Sequence, residues 1–355
     1  MKRRQTSQLF VGDVGIGSEY PISIQSMTNT QTSDVDGTVA QILRLEDAGC
    51  DLIRMAINSL DDAAAIQKIR SRIHIPIIAD VQFDYRLAVA AARGGVDGLR
   101  INPGNIGETW KVKEVVEAAK ERDLSIRIGV NAGSLHQKYI DAFHGVNAES
   151  ICASGLDEAE RLESLGFSKI KVSLKSSQVM ENIEAYRLFA ARTSYPLHLG
   201  VTEAGRGDRA LVKSAIGIGT LLAEGIGDTL RVSLTDHPYE EVIAGRQILA
   251  SLGIRPFGVE IISCPTCART KIDLFDLVKR AEERLTPLKK PLRIAIMGCV
   301  VNGPGEAREA DFGITGGDGV GIIFRRGEIL RKVQEEVLLD ALVEEIERSS
   351  HVLVE

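Results

Sequence analysis

Three cysteines carry the most specific chemistry in this sequence. Cys264-Pro265-Thr266-Cys267 is a C-x-x-C motif ahead of a helical pattern, and Cys299 follows 32 residues after Cys267. Alone, C-x-x-C serves zinc, a redox dithiol or an iron–sulfur cluster. A thioredoxin-like dithiol stands early in a βαβ unit and has no third thiol, and a structural zinc site takes four protein ligands. Here the third cysteine lies in Gly298-Cys299-Val300-Val301-Asn302-Gly303-Pro304-Gly305-Glu306. Its glycines and Pro304 let the backbone wrap closely around a bulky group. Three thiolates and one non-cysteine position suit a cluster with one iron open to substrate. Cys50 and Cys152 fall in helical patterns and read as buried apolar residues.

The second chemical set is basic. Arg54, Arg100, Arg127, Lys171 and Arg231 each stand in a short run rich in Ile, Val and Leu. An unpaired charge buried there is costly. Either these residues pair with Asp and Glu, or they surround an anion. A single one favours pairing, whereas five around one ring favour a phosphate or diphosphate, which a guanidinium fork fits well. Asp80 and Asn131 close two of the same runs, and Asn131 and Ser233 are expected to help hold the anion. Asn102-Pro103-Gly104-Asn105 and Asn131-Ala132-Gly133-Ser134 offer free backbone N–H groups just past two runs. His198 reads equally well as a core histidine or a functional one. Glu203, among cations, stays ionised unless desolvation dominates.

The elements that position these groups alternate. Apolar runs at Ile22–Met27, Leu52–Ile57, Ile75–Asp80, Gly98–Asn102, Ser125–Asn131, Lys169–Leu174, Pro196–Glu203 and Thr229–Leu234 read as strands buried on both faces. Between them, Val35–Gly49, Trp110–Arg122 and Asn147–Gly166 have helical spacing, the last with Gly166 as a C-terminal stop. Eight strands and eight helices predict an α/β fold, an N-terminal (β/α)8 TIM barrel whose active site lies at the C-terminal strand ends. A doubly wound sheet stops at five or six strands and carries a glycine-rich dinucleotide turn, which does not follow the first strand here.

Residues 1–252 are thus expected to form the substrate-binding barrel, with a linker near 251–258. Residues 258–355 form a C-terminal α/β iron–sulfur domain, with strands at Gly258–Ser263, Leu292–Met297 and Val320–Phe324 and helices at Arg269–Leu285 and Gln334–Arg348. Gly316-Gly317-Asp318-Gly319 reads as a turn.

Composition narrows the classes. The chain has 355 residues, 44% hydrophobic and 26% charged, with a net charge of −6. That suits a two-domain globular protein and disfavours a nucleic-acid partner. An anionic ligand then needs a local basic cluster rather than the overall field. Met1-Lys2-Arg3-Arg4 is followed by polar Gln5, Thr6, Ser7 and Gln8, so no export signal is read. No run approaches ~18 uninterrupted apolar residues, the length of a membrane span. A cytoplasmic location is expected, and the five cysteines favour metal, redox or burial over a disulfide framework.

With these motifs in place the sequence resembles the 4-hydroxy-3-methylbut-2-enyl diphosphate synthases of the non-mevalonate isoprenoid pathway, in their bacterial two-domain form. The matching segments span nearly the whole chain: Ile24–Thr30, Arg100–Asn105, Arg127–Ser134, His198–Gly205, Cys264–Cys267 and Cys299–Glu306. The resemblance implies the substrate 2-C-methyl-D-erythritol 2,4-cyclodiphosphate, whose ring is opened reductively with loss of a hydroxyl. It implies a 4Fe–4S cluster fed by flavodoxin or ferredoxin, with Cys264, Cys267, Cys299 and Glu306 as ligands. The basic ring then fixes the diphosphate and stabilises it as leaving group, and Glu203, His198 and Glu306 form the catalytic set. Where the family often has Ile-His-Phe-Asp, this chain reads Val81-Gln82-Phe83-Asp84, so a histidine there is not essential and Gln82 stays outside that set.

Three other readings remain at this stage. A phosphate-binding lyase or isomerase with a structural metal site would be colourless. A radical enzyme cleaving S-adenosylmethionine uses C-x3-C-x2-C in one loop, which is absent. A non-catalytic iron–sulfur sensor has no use for the basic ring. A homodimer is also expected, because the last barrel helix, near Tyr239–Leu252, carries the chain to the end opposite the strand-end site. A two-fold arrangement then lets each cluster domain cap the partner's barrel.

Overall fold

The computed structural model describes residues 2–288, 290–299, 308–317 and 319–352. The chain divides into two compact units, Met1–Arg255 and Pro256–Glu355. The first opens with an antiparallel hairpin, β1 (Leu9–Val11) and β2 (Val14–Ile16). Eight parallel strands follow: β3 (Ser23–Met27), β4 (Leu52–Ala56), β5 (Ile77–Asp80), β6 (Gly98–Ile101), β7 (Ser125–Asn131), β8 (Ile170–Lys175), β9 (His198–Leu199) and β10 (Thr229–Leu230). Each pairs with its sequence neighbour and β10 returns to β3. A single bridge, Val172 to Leu197, joins β8 to β9 and completes the barrel. All eight expected runs are strands here.

The outer layer holds α1 (Val35–Asp47), α2 (Leu60–Arg70), α3 (Tyr85–Gly94), α4 (Pro103–Ile106), α5 (Thr109–Glu121), α6 (Gln137–Ala142), α7 (Ala148–Ser164), α8 (Val179–Arg192), α9 (Gly207–Ala223) and α10 (Pro238–Ser251). Their sequences explain them. In α5, Val112, Val115, Val116 and Ala119 recur at helical spacing and are buried. At the start of α7, Asn147 and Ser150 satisfy each other's backbone N–H in a capping box. Gly166 ends that segment at φ 69°, a left-handed position that glycine adopts without strain.

The barrel's two ends differ in chemistry. At the N-terminal end the hairpin packs Leu9, Val11 and Ile16 against Leu52 and Ile78. The basic N-terminal segment closes this end. Arg3 donates to the carbonyls of Gly17, Ser18 and Gly227 and pairs with Asp228 at 2.8 Å, while Arg4 donates to Thr193 and Tyr195. After α10 the chain is tied to this same end, where Arg255 donates to the carbonyl of Ile22 at 3.3 Å and pairs with Asp51 at 2.6 Å. Both partners precede strands β3 and β4.

The second unit is a mixed five-stranded sheet, ordered β11 (Val259–Ser263), β12 (Leu292–Met297), β13 (Phe312–Gly317), β14 (Val320–Arg325) and β15 (Glu328–Gln334). The first three strands are parallel and the last two antiparallel. Helices α11 (Leu274–Leu285) and α12 (Leu338–Val352) pack Leu277, Ala281, Leu338 and Leu342 against Ile294, Ile296 and Ile314. Strands β13 and β15 were not anticipated. The helix expected from Arg269 begins at Leu274, because Asp273 is the N-cap and accepts from the backbone N–H of Asp276.

Candidate active site

Side chains alternate along a strand, so one residue known to face inward places every second neighbour inside the barrel. A cleft of about 230 Å³ opens at the C-terminal strand ends. Into it project Arg54 from β4, Asp80 from β5, Arg100 from β6, Arg127 and Asn131 from β7, and Ser173 and Lys175 from β8. Arg231 and Ser233 follow β10, and Gln82 and Thr202 complete the lining. Five cations thus face one lining carboxylate. A larger cleft of about 510 Å³, between Thr28–Ser33 and Ala56–Asp62, is lined by hydroxyls, amides and the Asp62 carboxylate with no cation. Of these two clefts the smaller is the cationic one.

Asp80 organises the ring. Its Oδ1 accepts from Arg100 Nη1 at 2.9 Å, and its Oδ2 lies 3.4 Å from Arg54 Nε. Arg231 forms a two-pronged pair with buried Glu241, both contacts at 3.0 Å, and Glu241 also accepts from the backbone of Leu234. Met27 Sδ lies 3.0 Å from Arg54 Nη2 and 3.8 Å from Arg231 Nη1. Two glycines make room for these long side chains. A Cβ on Gly129 would stand 2.5 Å from Arg100 Nε, and one on Gly200 would stand 2.6 Å from Lys175 Nζ.

The cations strain one another. Burial, then repulsion from Arg54 and Arg100, drives Arg127 well below its ordinary range. Burial lowers Arg54 to about 9, and burial followed by Arg127, Arg54 and Arg231 drives Lys175 well down. A guanidinium keeps its proton in proteins. The drive is therefore mainly the cost of burying these charges, with mutual repulsion added to it, and an anion bound in the cleft would offset both.

Other residues singled out in the sequence take different places. Lys171 shares the inward parity of Lys175 but lies four residues earlier, about 13 Å deeper at 3.3 Å per residue. It is buried and does not line the cleft. His198 is fully buried, its Nδ1 2.6 Å from Thr229 Oγ1, and burial followed by Arg127 and Lys175 keeps it well below the ordinary imidazole range. It is a neutral interior histidine. Glu203 is exposed on the rim, one residue past Thr202, with a left-handed φ of 52°. Asn102, Gly104, Asn105 and Ser134 line a separate cleft of about 410 Å³, and only Asn131 of the two small-residue loops reaches the basic cleft. Lys175 went unnoticed in the sequence; its signal was the period of two from Lys171 through Ser173.

Lys171 carries a pH prediction. Burial, then Arg127, lowers its amine to about 7. A lysine lowered on folding opposes folding while the unfolded chain alone holds the proton, so stability rises from about pH 7 toward the ordinary value near 10.4. Lys171→Met is expected to be more stable than the parent at pH 7, by on the order of 1–3 kcal/mol. That advantage shrinks as pH approaches 10, as thermal melts of the two proteins will show. An advantage independent of pH would contradict the buried-amine assignment.

In the second unit, parallel pairing sets the cysteines. Strands β11 and β12 run side by side with Ser263 opposite Ile296, so Cys264 and Cys299 both emerge at the same C-terminal sheet edge. The backbone N–H of Gly298 lies 3.3 Å from Cys264 Sγ. Cys264 is half-buried, Cys267 exposed and Cys299 buried. A cluster takes each thiolate on a separate iron, and this soft donor set fits it. Glu306 lies outside the described residues. Cys50 and Cys152 are buried in the barrel, and burial pushes the Cys50 thiol up to about 12, consistent with packing roles.

Fold and cleft together define a (β/α)8-barrel enzyme with a strongly basic cleft at its strand ends, in a chain that also carries a cysteine-bearing α/β unit. The chain belongs to the GcpE family: the GcpE TIM-barrel domain matches residues 6–246 and the GcpE protein C-terminal domain residues 260–348. A relative from Clostridium perfringens (strain 13 / Type A) is 53% identical over 347 residues, covering 98% of this chain and 99% of its own. One from Thermodesulfovibrio yellowstonii is 52% identical over 348 residues, covering 98% and 100%. Both are named 4-hydroxy-3-methylbut-2-en-1-yl diphosphate synthase (flavodoxin). Among solved structures, a dihydropteroate synthase from Stenotrophomonas maltophilia aligns with TM-score 0.52 at 12% identity, over 71% of this chain and 100% of that one. At that identity the likeness is one of fold alone.

Proposed function

We propose that this enzyme reductively opens the ring of 2-C-methyl-D-erythritol 2,4-cyclodiphosphate and removes a hydroxyl, giving 4-hydroxy-3-methylbut-2-enyl diphosphate. Two electrons and two protons enter and one water leaves. The observation that carries this reading is the basic cleft, whose five cations meet one lining carboxylate. Arg54, Arg100, Arg127, Lys175 and Arg231, with Asn131 and Ser233, bind the diphosphate. As the ring opens, a phosphate oxygen leaves carbon and gains charge, and cations already in place stabilise that change. Glu203, exposed one residue past the cleft-lining Thr202, is the proposed proton donor to the departing water. His198 holds Thr229 in the interior.

Cys264, Cys267 and Cys299 hold a 4Fe–4S cluster, with Glu306 as the fourth and exchangeable ligand. When bound, that cluster supplies electrons one at a time. Flavodoxin, which the relatives' names carry, or ferredoxin is the donor. The working unit is a cytoplasmic homodimer in which each cluster domain serves the partner's barrel. The tie of Arg255 to the barrel end opposite the cleft supports this arrangement. No described helix is long and apolar enough to cross a membrane.

The test of the cleft is Arg100→Ala. Losing one charge-assisted contact is expected to weaken cyclodiphosphate binding by about 1.5–3 kcal/mol, measured by calorimetry and by KM. Unchanged binding and turnover would mean that the ring is structural.

A further inference from the structure

We propose that Gln82 is a positioning residue for the cleft, holding Asp80 in the conformation that clamps Arg54 and Arg100 while adding no charge. The inference rests on the function proposed above and deepens it. Gln82 lies two residues past Asp80, and its Nε2 is 2.6 Å from Asp80 Oδ1. Arg54, Arg100 and Arg127 hold the Asp80 carboxyl below its ordinary range, against its burial. An ionised carboxylate only accepts, so the amide must present its N–H. Asp80 Oδ1 therefore takes two donors, Gln82 Nε2 and Arg100 Nη1. Asp80 Oδ2 remains for Arg54, 3.4 Å away. The three contacts leave the carboxylate one orientation.

Neutrality is the second part of the argument. Arg54, Arg100, Arg127, Lys175 and Arg231 are the charged side chains that share the cleft with Asp80. Asp84, the other carboxylate on this segment, is already engaged with Arg86 at 2.7 Å. A carboxylate in place of the Gln82 amide would face Asp80 and cancel cleft charge. A bare alkyl group would free Asp80 to rotate. Gln82 is half-buried, so it can be changed without opening the core.

Two variants test this, with Arg100→Ala as the reference. Gln82→Leu keeps size but loses the donor. It is expected to raise KM for the cyclodiphosphate about tenfold, with kcat changed less. Gln82→Glu places two carboxylates in contact, and such a pair holds one proton more tightly than either alone. At pH 8 both are ionised, and KM is expected to rise well over tenfold. Once the pH is low enough for the pair to take up a proton against the cleft's cations, the new acid donates to Asp80 as the amide did, and KM approaches that of the parent protein at the same pH. A merely structural role for Gln82 would shift the melting temperature without this pH-dependent KM. If Arg100→Ala raises KM while both Gln82 variants match the parent protein at every pH, the role assigned to Gln82 is wrong. If Arg100→Ala also changes nothing, the reading of the cleft fails and the role of Gln82 fails with it.

Discussion

Cys299→Ser protein, purified without oxygen, is expected to lack the broad visible absorption of an iron–sulfur cluster and to show no turnover above background. Cys299 is the buried member of the three thiols and follows Gly298, whose N–H approaches Cys264 Sγ. The loop that carries it therefore already meets the loop of Cys264. A serine hydroxyl is a poor substitute, because iron–sulfur clusters are held by thiolates and a hydroxyl does not ionise near neutral pH. The loss is a loss of cofactor, so a circular-dichroism melt should still show a folded barrel. Cys50→Ser is the matched control. Its thiol is buried and donates to the carbonyl of Leu52 at 3.1 Å, so the change is expected to alter stability alone and leave colour and turnover in place. Glu306→Cys is expected to keep a cluster and lose turnover, since a fourth thiolate is not readily displaced. A fully loaded, fully active Cys299→Ser protein would overturn the ligand assignment.

Mixing two dead proteins is expected to restore activity. Cys299→Ser removes the cluster, and Arg100→Ala, with a second cleft substitution such as Arg127→Ala if residual turnover persists, removes the anion site. Random exchange of subunits makes half the dimers mixed, and each mixed dimer has one barrel and one cluster intact. If each cluster serves the partner's barrel, that barrel and that cluster meet at a single site, and about a quarter of all sites work. If each cluster serves its own barrel, every site carries one lesion and nothing is recovered. Verified mixed dimers without activity, or full activity from a strict monomer, would rule out the shared site.

Most of the barrel was legible because parallel strands buried on both faces read as continuous apolar runs. Ser125–Asn131 is a strand over its full expected length. The last two strands are shorter than expected, His198–Leu199 and Thr229–Leu230, because the chain leaves the ladder where Gly200 makes room for Lys175 and Arg231 turns to the cleft. The second unit was less legible. Strand β13 reads Phe-Gly-Ile-Thr-Gly-Gly, which resembles a turn. Gly313 is there because a Cβ would stand 2.2 Å from the Phe324 ring, a packing reason invisible without the partner strand. Strand β15, Glu-Ile-Leu-Arg-Lys-Val-Gln, is an edge strand without the apolar–polar alternation that would have marked it, and it blurs into the helix that follows. At the site, residue type identified the cations, but depth along a strand decides which of them reach the cleft. Arg231 stands just past its strand and Arg54 in the middle of β4, and both line the cleft, whereas Lys171 and His198 do not. Lys175 was missed because one lysine had already been assigned to its strand.

The most direct measurement is anaerobic turnover with a counted supply of electrons. The coloured protein is mixed with the cyclodiphosphate and reduced flavodoxin, and the diphosphate product is followed by phosphorus NMR. The account predicts one 4-hydroxy-3-methylbut-2-enyl diphosphate for every two electrons consumed, with no product when the donor is omitted. Coloured, reduced protein that leaves the cyclodiphosphate intact, or product formed without electrons, would contradict it.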